Sequence, residues 1–351
     1  MTINDYLLQK SIHPLLLCGD SLQILQKIPQ NSIDMVITSP PYWGKREYIN
    51  GGIGLEKESD SYIDSLLKII CEIKRIIKPE GSFWLNIGDT YKNKSLVGIP
   101  WRIAIKMIDE QGWILRNEIV WNKVKGGMDN SKDKLGNIHE PLYHFVKSGK
   151  YYYNVDSIRS KPQKACIKNG TVISATGVSG IRYKRQIEMS TSLTSYEKKC
   201  AISALELVLN EIKGGKISDF RMIIRGQQRV THSDSINVSG RAKELIEKGY
   251  YFLKYHPNGS KPRDVWDILP EDTQNRKNHF APFPEDLCKI PILSTCPPNG
   301  IVLDPFVGTG TSIAVAYSFG KKSIGIDISK EYIEIAKHRF SEPNLFEAIS
   351  A

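Results

Sequence analysis

Two short segments, far apart in the chain, carry side chains suited to chemistry. The first is Ser39-Pro40-Pro41-Tyr42, which closes the apolar run Ile33-Asp34-Met35-Val36-Ile37-Thr38. Neither proline has an N–H, so a strand ending there cannot keep pairing, and its carbonyls are left as acceptors beside a hydroxyl and an aromatic ring. A planar base bearing an amino group suits such a pocket. Taken alone, Pro-Pro-aromatic reads more simply as a turn after a strand.

The second segment changes that balance. Ile301-Val302-Leu303-Asp304-Pro305-Phe306-Val307-Gly308-Thr309-Gly310-Thr311 reads as a strand, a glycine-bearing loop and the start of a helix. Glycines let the backbone turn sharply and approach a ligand closely. The next apolar strand ends in Asp327, roughly 20 residues beyond Asp304, where an open α/β sheet holds the two hydroxyls of an adenosine ribose. A nicotinamide dinucleotide fits poorly, because the loop lacks the third glycine of that fingerprint and Asp304 would repel a pyrophosphate. S-adenosylmethionine carries an ammonium and a sulfonium, which Asp304 matches in charge, and Phe306 adds a cation–π contact.

These segments must be positioned by a sizeable core, and 351 residues at 39.7 kDa supply one. With 40% hydrophobic and 25% charged residues the composition is that of a globular protein. Apolar stretches such as Leu15-Leu16-Leu17-Cys18 are far shorter than a membrane span, and the N-terminus lacks a signal-peptide layout, so a cytoplasmic protein with no membrane partner is expected. Six cysteines without a CxxC pair and seven histidines without ligand spacing suggest neither disulfides nor a metal. Cys296 precedes Pro297-Pro298, but a cytosine-C5 nucleophile follows a proline and this cysteine follows Thr295, so it reads as a turn residue.

Charge is segregated. Between Arg159 and Arg263 there are 20 Lys and Arg against 8 Asp and Glu, in a chain whose total is +10, so the remainder is slightly acidic. Confinement of the whole excess to one block is the electrostatic footprint of a phosphate-binding module. Within it, Arg225, Gln227, Gln228, Arg229, His232 and Ser233 form a polar cluster of the type that reads base edges, although surface solvation explains such residues too.

Outside the basic block, strands and helices alternate. Strands are expected at 15–20, 33–38, 82–87, 114–121, 142–146, 300–303 and 322–326. Helices are expected at 21–27, 61–78, 100–111, 285–293, 312–319 and 330–340, with Tyr62, Leu66, Ile69, Ile70, Ile73 and Ile77 on one stripe of the second. Pro79-Glu80-Gly81 is expected to stop that helix. Alternation of this kind predicts an α/β sheet covered on both faces. Inside the block, helices are expected at 196–213 and 241–248 and a strand at 250–253, while Ser174 to Gly180 looks loop-like.

With both segments read, the chain resembles the DNA amino-methyltransferases, which methylate an exocyclic nitrogen of cytosine or adenine and often serve restriction-modification systems. The resemblance rests on Thr38-Ser-Pro-Pro-Tyr-Trp43, Asp304-Pro-Phe-Val-Gly-Thr-Gly-Thr311 and Gly325-Ile-Asp327. Further matches are His279-Phe280-Ala281-Pro282-Phe283-Pro284 and the stretch from His139-Glu140 to Arg159. The tetrapeptide precedes the cofactor loop, as in the family's permuted beta group. The resemblance implies a doubly wound, mostly parallel, seven-stranded sheet of the S-adenosylmethionine-dependent methyltransferase fold. Its catalytic halves would be residues 1–158 and 264–351, with a target-recognition insertion at 159–263. It implies Asp20, Phe280, Pro282, Asp304, Phe306, Gly308, Gly310, Thr311 and Asp327 around S-adenosylmethionine, and Ser39, Pro40, Pro41 and Tyr42 around the target base. Expected partners are double-stranded DNA and a restriction endonuclease acting on the same site.

The chemistry follows from the amino group. Its lone pair is delocalised into the ring until acceptors on its hydrogens localise it, and Ser39 Oγ with the Pro40 carbonyl are the pair the family implies. No strong general base is required, because a methylated cationic nitrogen sheds a proton readily. The base must leave the duplex to be reached, and Tyr42 is placed to stack on it, with Trp43 either helping or packing. Serine at the head of the tetrapeptide is typical of relatives acting on cytosine N4, whereas Asp or Asn marks most adenine-N6 enzymes. His139-Glu140 reads as a strand-edge structural pair, and Asp89 and Tyr91 as pocket lining or a turn cap.

Overall fold

In the computed structural model, residues 2–45, 52–125, 131–226, 240–270 and 284–340 are described. The chain divides into two compact units, Met1–Ile158 with Arg263–Ala351, and Arg159–Pro262.

The first unit begins with α1 (Ile3–Leu8), β1 (Leu15–Cys18), α2 (Ser21–Leu25), β2 (Ile33–Thr38), α3 (Ser59–Ile76) and β3 (Ile77–Asn86). A two-residue hairpin of β4 (Tyr91–Lys92) and β5 (Ser95–Leu96), α4 (Ile99–Asp109), β6 (Ile114–Asn122) and β7 (His139–Val146) follow. The second unit holds β8 (Cys166–Lys168), β9 (Thr171–Ile173), α5 (Gly180–Glu188), α6 (Ser195–Lys213), β10 (Asp219–Ile224), α7 (Gly240–Lys248) and β11 (Tyr250–Tyr255). The first unit resumes with β12 (Val265–Asp267), α8 (Glu285–Thr295), β13 (Ile301–Asp304), α9 (Thr311–Ser318), β14 (Lys322–Asp327) and α10 (Lys330–His338).

Its sheet runs β1-β14-β13-β2-β3-β7-β6-β12. Pairing is parallel except where β7 meets β3 and β6. The doubly wound, mostly parallel α/β architecture is as expected, with eight strands rather than seven. The extra strand, β12, has three residues, too few to show a period. From β13 the chain moves through α9 to β14 on one side, and from β2 through α3 to β3 on the other. The boundary between β13 and β2 is therefore a topological switch point, where ligands of open α/β sheets bind at the carboxyl ends of the strands.

Every residue of β2 is buried, as a central strand covered on both faces requires. One core forms around α3, whose Tyr62, Leu66, Ile69, Ile70 and Ile73 are buried as the stripe predicts. The opposite face packs Met35, Ile37, Trp84 and Val302 against Leu287, Cys288 and Ile292 of α8.

Pro79-Glu80-Gly81 does not end a helix followed by a loop. The chain passes from α3 directly into β3, and the tripeptide forms an irregularity where the β2–β3 register shifts between Ile33 and Met35. Helix α1 has no long pattern to announce it. A capping box of Thr2 with Asp5 starts it, and the ammonium of Lys322 closes it by donating to the carbonyls of Tyr6, Leu7 and Gln9.

In the second unit, α5 and α6 cover the antiparallel pair β10–β11 through Tyr183, Ile187, Ala201, Leu205, Phe220 and Met222. Helix α5 emerges from the expected loop because Ser179 accepts the Arg182 amide at 3.2 Å as its N-cap. Among the described residues no helix is long and apolar enough to cross a membrane.

Ile70 is fully buried whereas Ile105 of α4 is 56% exposed. Ile70→Ala is expected to lower unfolding free energy by about 2–5 kcal/mol and Ile105→Ala by about 0.5 kcal/mol or less, read by urea titration. Equal losses would contradict the packing of α3.

Candidate active site

A cavity of about 470 Å³ opens at the switch point. Asp20, Ser39, Pro40, Pro41, Tyr42, Asp304, Phe306, Thr311 and Asp327 all line it, so the two segments singled out in the sequence share one pocket. Gly308 and Gly310 lie in the loop between Phe306 and Thr311, and Phe280 and Pro282 fall outside the described residues.

The strand ends are tied together directly. Thr38 Oγ1 donates to Asp304 Oδ1 at 2.6 Å, Ser312 Oγ to Oδ2 at 2.5 Å, and the Phe306 amide to Oδ1 at 3.0 Å. Burial, opposed by these three donors, pushes the Asp304 carboxyl up to about 6. Among the described residues no Lys or Arg pairs with it. Asp327 accepts the Gly308 amide at 2.9 Å and the Ser329 amide at 2.8 Å, and burial raises it above the ordinary carboxylate range. Gly310 caps α9 at φ +87°, in the left-handed region, and a Cβ there would lie 3.0 Å from Ala336 Cβ. Asp20 caps α2 by accepting the Gln23 amide at 2.9 Å.

At the other wall, the Pro-Pro pair bends the chain so that Ser39 Oγ lies 3.2 Å from the Tyr42 hydroxyl. The Tyr62 hydroxyl donates to the Pro41 carbonyl at 2.8 Å, whereas among the described residues no donor reaches the carbonyl of buried Pro40. Asn86 Oδ1 is 3.3 Å from Ser39 Oγ and 3.1 Å from the Tyr42 hydroxyl. The Tyr42 hydroxyl also donates to Glu140 Oε2 at 2.8 Å, and Lys123 Nζ is 2.5 Å from Glu140 Oε1. Burial first, and the charge of Glu140 second, hold the Tyr42 phenol in its neutral form, well above the ordinary tyrosine range.

Three polar members of this wall, Asn86, Lys123 and Glu140, are not among the expected site residues. Glu140 is expected to be structural, and a polar residue at the end of the strand beside the tetrapeptide is the signal that points to Asn86. Gly88 matters sterically, since a Cβ would sit 2.6 Å from Tyr42 Cε2.

Other expectations resolve as follows. Trp43 packs in the core with its indole donating to the Glu56 carbonyl at 2.7 Å. Asp89 caps the turn into α4 through the Gly98 and Ile99 amides. Cys296 ends α8, buried, with its thiol pushed up to about 12, which suits a turn residue. Arg225 is engaged within the second unit. Its guanidinium pairs with Glu197 at 2.7 Å and donates to the carbonyls of Ser192, Leu245 and Ile246, so its fork braces that unit. Gln227, Gln228, Arg229, His232 and Ser233 lie outside the described residues.

The sequence model of the DNA methylase family matches residues 33–338. The chain belongs to that family. This DNA methylase is 30% identical to the type II methyltransferase M.SfiI of Streptomyces fimbriatus, over 90% of this chain and 88% of that one. Its fold is similar to the PvuII DNA methyltransferase (cytosine-N4-specific), with a TM-score of 0.58, 19% identity, and coverage of 96% of this chain and 90% of that one. A putative DNA modification methylase from Thermus thermophilus, solved with S-adenosyl-L-methionine, aligns with a TM-score of 0.50 at 18% identity, covering 94% of this chain and 95% of that one.

Gly88→Ala is expected to displace the Tyr42 ring and reduce methyl transfer by on the order of 100-fold while the methylase stays folded. Radiolabelled methyl incorporation beside a thermal melt checks this, and an unchanged rate would show that the ring position is not required.

Proposed function

We propose that this methylase transfers the methyl group of S-adenosylmethionine to the N4 amino group of a cytosine flipped out of duplex DNA, as the modification partner of a type II restriction enzyme. The observation that carries the reading is that Ser39 and Pro40, whose carbonyl has no donor among the described residues, line the same pocket as the glycine loop. Two such acceptors would take both hydrogens of an exocyclic amine and leave its lone pair to the incoming methyl group.

The opposite wall suits the donor. Asp20, Asp304 and Asp327 line it together with the hydroxyls of Thr309, Thr311 and Ser312. A buried carboxyl held near 6 by hydroxyls and an amide is stabilised in its charged form when a cation arrives. When bound, S-adenosylmethionine supplies an electrophilic methyl on a sulfonium. Asp327, with lone pairs remaining after its two backbone bonds, serves the ribose hydroxyls, and the loop of Gly308 and Gly310 lets the cofactor lie close to the backbone. Tyr42 stacks on the flipped base. The choice of cytosine rests on Ser39, supported by the cytosine-N4 specificity carried in the name of the PvuII enzyme.

Digestion of DNA methylated by the chain, with mass identification of the nucleoside, is expected to give N4-methylcytosine. N6-methyladenine would overturn cytosine and leave amino-methyl transfer standing. The Asp304 shift gives a second expectation. Its folded carboxyl titrates near 6, above the ordinary 3.8, so in the free protein its contribution to stability is full at low pH and is lost as pH rises through 6. A cationic ligand favours the ionised form, so affinity for S-adenosylmethionine should fall on going from pH 7 to 5, by up to about tenfold per unit below 6. Asp304→Asn should bind more weakly and flatten this slope in calorimetric titration. A wild-type affinity that does not change with pH would remove Asp304 from the cofactor pocket.

A further inference from the structure

The hydroxyls of Ser39 and Tyr42 do not end at each other. They lead to a carboxylate, and the direction of the relay is fixed by which groups are able to donate. Glu140, ion-paired to Lys123 at 2.5 Å, only accepts. The Tyr42 hydroxyl has one proton and two acceptors in reach, Glu140 Oε2 at 2.8 Å and Asn86 Oδ1 at 3.1 Å, and the nearer, charged one takes it. The Tyr42 oxygen is then left to accept from Ser39, 3.2 Å away, and Asn86 Oδ1 at 3.3 Å is the other acceptor within reach of the Ser39 hydroxyl, on the same wall of the pocket. Asn86 cannot reverse this, because its amide nitrogen donates to the Pro141 carbonyl at 3.1 Å and so turns Oδ1 toward the hydroxyls. Every proton in the relay therefore points away from the pocket, and Ser39 Oγ shows the pocket a lone pair.

We propose that Glu140, acting through Tyr42, orients Ser39 as an acceptor and is the terminus to which the amino proton passes. The proposal rests on the reading of the pocket as an amino-base site. In the transfer, the nitrogen lone pair forms the N–CH3 bond while the S–CH3 bond breaks with its electrons on sulfur, leaving the sulfonium a neutral thioether and the nitrogen cationic. The nitrogen then keeps the electrons of one N–H bond. Its proton moves to Ser39 Oγ, the Ser39 proton moves to Tyr42, and the Tyr42 proton moves to Glu140 Oε2. Each hydroxyl gains one proton and loses one, and the carboxylate becomes a carboxylic acid that returns its proton to water. Phenol neutrality, held by burial and by the Glu140 charge, keeps Tyr42 able to pass a proton on. Glu140 is thus a positioning residue for Ser39 and the final proton acceptor, and Lys123 holds it in place.

The test is a double-mutant cycle on the full chain with duplex DNA, using wild type, Tyr42→Phe, Glu140→Gln and the double variant. Single-turnover methyl transfer is measured at saturating S-adenosylmethionine, with cofactor affinity measured in parallel. Each single variant should lose on the order of 100-fold in rate, with affinity for S-adenosylmethionine within about twofold of wild type, and the double should be no slower than the slower single. The Tyr42→Phe variant keeps the ring that stacks on the base, so its loss reports the hydroxyl. Full rate in either single variant overturns the proposal, as does a double whose loss is the product of the two singles, the result expected if Glu140 only braced Lys123. If Glu140→Gln fails to bind cofactor, Tyr42→Phe alone decides, since the same relay requires its loss. The modified nucleoside separates the two readings. Coupled losses with N6-methyladenine as product retain the relay and overturn cytosine, and a wild-type chain that methylates neither base overturns both.

Discussion

The hydrogen bond from Thr38 Oγ1 to Asp304 Oδ1, at 2.6 Å, joins the ends of two strands that meet in space only because the sheet reverses direction between them. On one side of it lies the tetrapeptide proposed to hold the target base, and on the other the loop proposed to hold the methyl donor. A buried carboxylate is tolerated only when its lone pairs are used, so Asp304 requires Thr38, Ser312 and the Phe306 amide in place. That requirement fixes the start of α9, the turn of the glycine loop and the height of Ser39 above the sheet together. A methyl group passes between two sites only if their separation is held to a fraction of an ångström. One short bond across the switch point does this more directly than packing of the flanking helices.

Local sequence carries local geometry, which is why Ser39, Tyr42, Asp304 and Asp327 are legible from residue types and spacing alone. Ser39, Tyr42 and Asp304 sit beside prolines at or just past a strand end, Asp327 closes the strand that contains Gly325, and each strand carries an apolar run. The central strands are legible for the same reason, and so is the segregation of basic residues between Arg159 and Arg263. Glu140 is not. Its place depends on the pairing of β6 with β7, where Trp121 faces Glu140 and Asn122 faces His139, so that Lys123 emerges beside the carboxylate. Nothing in either segment states that register. Asn86 depends likewise on the irregularity at Pro79-Glu80-Gly81. Read as a helix stop, the tripeptide precedes an expected strand at 82–87 with no register stated, whereas as a shift within the strand it sets Leu85 opposite Thr38 and Asn86 one step beyond, level with Ser39. Arg225 differs in the opposite way. Its residue type invites base contacts, but five donors in one plane equally suit the ends of helices, and Glu197 with three carbonyls takes four of them.

The two ends of the pocket treat negative charge differently, and the difference matches the role proposed for each. Asp304 has hydroxyl and amide donors but no cationic partner among the described residues, which suits the role proposed for it toward a cation that arrives and leaves. Glu140 is paired with Lys123, so the wall proposed to face the neutral base carries little net charge while still ending in an acceptor. Were the pairing exchanged, the donor site would lose its attraction for a sulfonium, and an unpaired carboxylate beside the base would attract any cation in solution. The Gly88 backbone lies against the Tyr42 ring, where a Cβ would sit 2.6 Å from Cε2, so the ring that carries the hydroxyl is closely backed. In the proposed relay the proton passes from Ser39 through Tyr42 to Glu140 Oε2, the nearest acceptor to the Tyr42 hydroxyl.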